Sequence, residues 1–136
     1  MRVVIDTNLV LTCISRKSHL HWIFQKLIDG EFEICVTTEI LNEYAEILER
    51  HMSYELAEYV VKTILNLAQT HQIDIYYKWN LIRDADDNKF VDCAIASNAK
   101  YLVSHDKHFN ILKTINFPKV EVISAEEFKA YLDERK

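Results

Sequence analysis

Short unbroken apolar runs alternate along this chain with longer stretches whose apolar positions recur every three to four residues. Residues 2–5, 32–36, 73–77, 101–104 and 120–123 have the first character and predict five strands. Between them the spacing predicts helices over 8–15, 19–29, from Thr37 or Thr38 to about 50, and over 54–71. The last of these carries Leu56, Val60, Ile64 and Leu67 on one face. A polar segment, 80–88, leads into a further helix through about 99, a short one closes over 110–113, and Ser124-Ala125-Glu126-Glu127 is a capping box for the final helix. Gly30 stands where the second helix must stop. Strands that alternate with helices in this way predict a parallel sheet covered on both faces, a three-layer α/β/α sandwich. The intervals are long enough for the crossovers that parallel strands require.

The 136 residues make one domain, and 49% hydrophobic with 27% charged is the balance of a soluble globular protein. No apolar stretch reaches the ~18 residues of a membrane span, and the N-terminus lacks a secretory signal, so a cytosolic protein is expected. Cys13, Cys35 and Cys93 form no CxxC pair, which leaves buried free thiols as the expected state. The formal charge of −5 excludes a generally basic nucleic-acid binder.

Four acids change that picture. Asp6 ends the run Val3-Val4-Ile5, and Asp106 follows Tyr101-Leu102-Val103, each just past the carboxyl end of an expected strand. Ligands of open α/β sheets bind beyond those ends. Asp92 is embedded in Phe90-Val91-Asp92-Cys93-Ala94-Ile95-Ala96, where an unpaired carboxylate would be costly. Glu43 lies about 100° from the centre of its helix's apolar stripe, closer to it than Glu39, Glu46 or Glu49. Carboxylates gathered in an apolar setting need protons or cations. A hard divalent-metal site is the economical reading, and oxygen ligands suit Mg²⁺ or Mn²⁺. Setting these four aside raises the formal charge from −5 to −1, so acidity does not exclude a nucleic-acid substrate.

Taken singly, Asp6 and Asp106 can equally be helix caps. Asp84, Asp86 and Asp87 are expected as caps and dipole partners, with Asp87 also able to join the site from its rim. His19/His21 and His105/His108 lack any zinc-ligand spacing. Arg83, Lys89, Lys107, His105 and His108 lie near the acids in sequence and are candidate phosphate contacts.

Val4-Ile5-Asp6-Thr7-Asn8, Glu43, Asp86-Asp87-Asn88-Lys89-Phe90-Val91-Asp92 and Tyr101-Leu102-Val103-Ser104-His105-Asp106 follow one another in an order that resembles the PIN-domain proteins. The resemblance is to the small prokaryotic toxin group related to VapC and covers nearly the whole chain. It implies a central five-stranded parallel sheet and Mg²⁺- or Mn²⁺-dependent cleavage of single-stranded RNA. It also implies a small antitoxin partner and a homodimer. By position it makes Asp6, Glu43, Asp92 and Asp106 the catalytic and metal-binding acids, with Asn8 and Ser104 supporting them. One departure stands out: His108 occupies a place where many relatives carry a further Asp.

The chemistry expected is phosphodiester hydrolysis by metal-activated water. The rival is a non-catalytic PIN-like domain that binds RNA or protein. A receiver domain would need its acceptor Asp later in the chain, and a haloacid-dehalogenase phosphatase would want Asp where Asn8 stands. Tyr44, Tyr54 and Tyr59 are the expected aromatic edges of a dimer interface.

Overall fold

The computed structural model describes residues 1–135. Its elements run β1 (Arg2–Ile5), α1 (Thr7–Ile14), α2 (His21–Ile28), β2 (Glu33–Val36), α3 (Thr38–His51), α4 (Tyr54–Asn66) and β3 (Thr70–Gln72). A 3₁₀ turn (Ala85–Asp87) then leads into α5 (Asn88–Ala96). β4 (Tyr101–Val103), a 3₁₀ segment (Lys107–Thr114), β5 (Val122–Ile123) and α6 (Ala125–Glu134) complete the chain. The five strands form one parallel sheet in the order β3-β2-β1-β4-β5. The α/β class and the five-stranded parallel sheet are as the apolar pattern predicts.

Burial explains the strand sequences. Val3, Val4 and Ile5 of β1 and Leu102 and Val103 of β4 are essentially inaccessible, because helices cover both faces of the central strands. The edge strand β3, Thr-His-Gln, is polar and short, as befits a strand with one unpaired side. Local signals set the helix boundaries. Thr37 caps α3 by accepting the Ile40 N–H, Ser53 caps α4, and the capping box of Ser124 and Glu127 opens α6. Gly30, at φ 76°, takes the left-handed conformation that turns the chain after α2.

Four expectations are corrected. The helix predicted over 54–71 stops at Asn66, and β3 lies at Thr70–Gln72 instead of 73–77. Leu67 turns to extended backbone, and the Thr70 hydroxyl takes the Ile64 carbonyl at 2.5 Å, a bond that ends the helical ladder. The Ile73 N–H still reaches the Val36 carbonyl at 2.7 Å, but the chain beyond it leaves the sheet and exposes Tyr76 and Tyr77. The short helix predicted over 110–113 is part of a longer 3₁₀ segment. Tyr44 is fully buried, its hydroxyl donating to the Ile5 carbonyl, so it forms no surface edge; Tyr54 and Tyr59 are exposed.

The three cysteines are buried and free, and burial pushes the Cys13 thiol up to about 12. No helix among the described residues is long and apolar enough to cross a membrane.

Candidate active site

Chain order carries the site. From β1 the sheet grows outward through β2 to β3, and the chain then returns to the other side of β1 to lay down β4. The direction of growth therefore reverses between β1 and β4, and such a reversal opens a crevice at the carboxyl ends of the two strands. Ile5 pairs with Val103, so the next residues, Asp6 and Ser104, stand abreast at that crevice.

Asp6 is buried and caps α1, its Oδ1 accepting the Leu9 N–H at 3.0 Å. Its Oδ2 accepts the Ser104 hydroxyl. That hydroxyl in turn accepts the Asp106 N–H at 2.9 Å, and Asp106 Oδ1 caps the 3₁₀ segment through the His108 N–H. Asp6 and Asp106 line one open cavity of about 340 Å³ together with Asn8, Thr12, His19 and His105. Burial raises the Asp6 carboxyl above its ordinary value, with the nearby Asp106 adding to the shift; the Ser104 and Leu9 hydrogen bonds oppose it. A cation would relieve this strain on the charged form. Caps and crevice acids are here the same residues.

Asp87 comes in from α5's leading turn. Its Oδ2 lies 2.9 Å from His108 Nδ1, and the same nitrogen is 3.5 Å from Asp106 Oδ1 and 4.0 Å from Asp84 Oδ2. Asp84, Asp87 and His108 present ligand atoms within 4.8 Å of one another, the one such set of three among the described residues. Desolvation raises the Asp87 carboxyl above its ordinary value, and the hydrogen bond that His108 donates to Asp87 raises the imidazole above its own. Once protonated, His108 would place a positive charge among these three carboxylates, at the position where the resemblance sets a further acid.

Glu43 approaches from α3, held by the Thr7 hydroxyl on Oε2 and by Lys89 Nζ on Oε1 at 2.7 Å. Thr7, adjacent to Asp6, takes a role that its place in the Val4-Ile5-Asp6-Thr7-Asn8 motif does not by itself assign. Lys89, expected as a phosphate contact, is thus engaged with Glu43. Asp92 is buried as expected: its Oδ1 accepts the Trp79 N–H at 3.1 Å, and it lines a second hollow with Thr37, Ile73, Lys78 and Lys89. Burial raises its carboxyl too, with Lys78 and the Trp79 bond opposing.

The PIN-domain family model matches residues 2–108, most of the chain and every residue described so far at the crevice. The chain belongs to the PIN-domain family.

Solved structures place the same fold at low identity. A VapBC2 complex from Rickettsia felis, bound to a DNA fragment from its promoter, is similar at 18% identity with a TM-score of 0.64, over 91% of this chain and 98% of that one. VapBC-1 from nontypeable Haemophilus influenzae is similar at 12% identity and a TM-score of 0.61, over 93% and 99%. The PIN domain endonuclease Utp24 is similar at 16% identity and a TM-score of 0.51, over 90% and 84%. A comparison with curated protein sequences gave no match.

Around this PIN-domain crevice the expected cations are unevenly placed. Lys107 is exposed and lines a hollow beside Asp106 with His105, Asn110 and Lys113. His105 Nε2 accepts the Ala125 N–H at 3.0 Å and sits 3.2 Å from Glu126 Oε2, so it ties the crevice to the start of α6. Arg83 is exposed and lies outside the residues lining either hollow.

Proposed function

We propose that the protein is a Mg²⁺- or Mn²⁺-dependent endoribonuclease that hydrolyses phosphodiester bonds of single-stranded RNA, acting as the toxin of a toxin–antitoxin pair. The observation that carries this reading is the juxtaposition of Asp6 and Asp106 across Ser104 at the reversal point of the sheet. Membership of the PIN family and likeness to two VapBC complexes and to an endonuclease support it. The VapBC likeness also supports a small antitoxin partner, and a homodimer is part of the same proposal.

The donor set fits a hard divalent ion: buried and half-buried carboxylates, no thiolate, and an Asp6 whose charged form needs stabilising. Asp6 and Asp106 would hold the ion, with Asp87 at the rim and Glu43 reaching in from α3. Such an ion supplies Lewis acidity toward an attacking water and a leaving oxygen. The protein's own residues do the rest. Ser104 fixes the spacing of Asp6 and Asp106, Thr7 and Lys89 orient Glu43, and Lys107 and Lys113 offer positive charge to the RNA backbone beside Asp106. Asp92, by its bond to Trp79, steadies the chain segment leading from β3 and acts as a positioning residue.

His108 favours the second reading, a PIN domain that binds RNA without cutting it, because a protonated imidazole beside Asp87 and Asp106 competes with a metal for the same oxygens. Cleavage of a fluorogenic single-stranded RNA in Mn²⁺ separates the two. The nuclease reading expects cleavage by the wild type, abolished in Asp6→Asn and Asp106→Asn with the fold intact. A wild type inert in Mn²⁺, with His108→Asp equally inert, would leave the binding module.

A further inference from the structure

A row of aromatic rings lies on the surface beside α5. Tyr77 and Trp79 meet edge to face with centroids 4.8 Å apart, and Trp79 meets Phe117 in the same way at 6.2 Å. Tyr77 is 66% exposed and Phe117 83%. Trp79 is half-buried, and its backbone N–H on Asp92 ties the row to α5. A single exposed aromatic residue needs no explanation, but three rings brought together from two separate segments form a surface patch with a use.

The charge around the rings selects the occupant. Within four residues of the three rings the sequence carries Lys78, Arg83, Lys113 and Lys119 against Asp74 and Glu121, in a chain whose formal charge is −5. Lys78 lies between Tyr77 and Trp79 in sequence, and Lys119 two residues after Phe117. An apolar protein partner gains nothing from that bias, whereas a polyanion with unpaired π faces matches both features. We propose that Tyr77, Trp79 and Phe117 form a stacking platform for the bases of a single strand, with Lys78 and Lys119 taking its phosphates. This rests on the single-stranded RNA reading and deepens it: the platform takes bases that are free to stack, so a duplex is a poor ligand.

The test is binding in the presence of a chelator, so that no cleavage intervenes, followed by anisotropy of a labelled RNA single strand and of an abasic strand of equal length. The wild type should bind the base-bearing strand about tenfold or more tightly than the abasic one. Tyr77→Ala with Phe117→Ala should erase that preference and leave the abasic affinity unchanged, while Tyr77→Phe retains it. Equal binding of the two strands by the wild type, or a preference intact in the double variant, overturns the platform. So does a double variant that keeps the preference but turns a dimer into a monomer by light scattering, since the rings would then belong to a protein interface. Failure of the underlying reading looks different: base preference without RNA cleavage in Mn²⁺ keeps the platform and removes the nuclease, and cleavage without base preference does the reverse.

Discussion

Ser104 stands between two acids: its hydroxyl donates to Asp6 Oδ2 and accepts the Asp106 N–H at 2.9 Å. Adjacent strands bring the three together, and the hydroxyl touches both carboxylate-bearing residues. Ser104→Ala should therefore strand a buried carboxylate oxygen and a backbone N–H, lowering stability by about 1–3 kcal/mol in denaturant titration. Ser104→Thr, which keeps the hydroxyl, should recover most of the loss. Equal unfolding midpoints for wild type and Ser104→Ala would contradict the bridging role.

Metal should stabilise the folded protein through the same acids. At a hundredfold excess over its dissociation constant, a ligand specific for the folded state contributes about 2.7 kcal/mol. Mn²⁺ or Mg²⁺ should raise the melting temperature of the wild type, and Asp6→Asn should lose most of the rise. A melting curve indifferent to millimolar metal would count heavily against the site.

Without metal, the pH dependence has a definite sign. Burial holds Asp6 above its ordinary value of 3.8 when folded. A carboxyl so raised favours folding while it is protonated in both states, and that contribution is lost as pH rises from 3.8 through the folded value. Asp6→Asn has no charge to bury and should be the more stable protein at neutral pH. In acid the two should converge. Chelator-treated melting curves across this range provide the check, and a neutral-pH wild type more stable than Asp6→Asn would refute the assignment.

His108 governs access to Asp87 and Asp106. The Asp87 hydrogen bond raises its pKa, so acidification protonates it beside the carboxylates and should oppose metal binding. His108→Asp should lower the Mn²⁺ concentration needed for half-maximal stabilisation and reduce the dependence on pH over the imidazole range. Isothermal titration at two pH values reads both effects.

Asp92 and Asp106 should separate by phenotype. Asp106→Asn should abolish cleavage with little change in substrate affinity. Asp92→Asn keeps an oxygen for the Trp79 N–H and should reduce activity chiefly through KM, by disturbing the segment that carries the aromatic row. Equal loss of kcat in both variants would return Asp92 to the group that acts on the reacting atoms.

The chain's own pattern determined the α/β class, the parallel sheet and the buried central strands, because continuous apolar runs and 3.6-residue spacing report burial directly. It also marked Asp6 and Asp106, since a carboxylate at the end of a buried strand is conspicuous in one dimension. The edge strand β3 escapes that pattern because Thr70–Gln72 is polar and no apolar run announces it. Only the tertiary structure decided which strands are neighbours. The adjacency of β1 and β4, some hundred residues apart in sequence, sets Asp6 abreast of Ser104. It decided equally that Asp87 faces His108, that Lys89 neutralises Glu43, and that Asp92, however deeply buried, turns to Trp79. Burial follows from local periodicity, but the direction of a buried polar group follows from which partner the packed elements bring within reach.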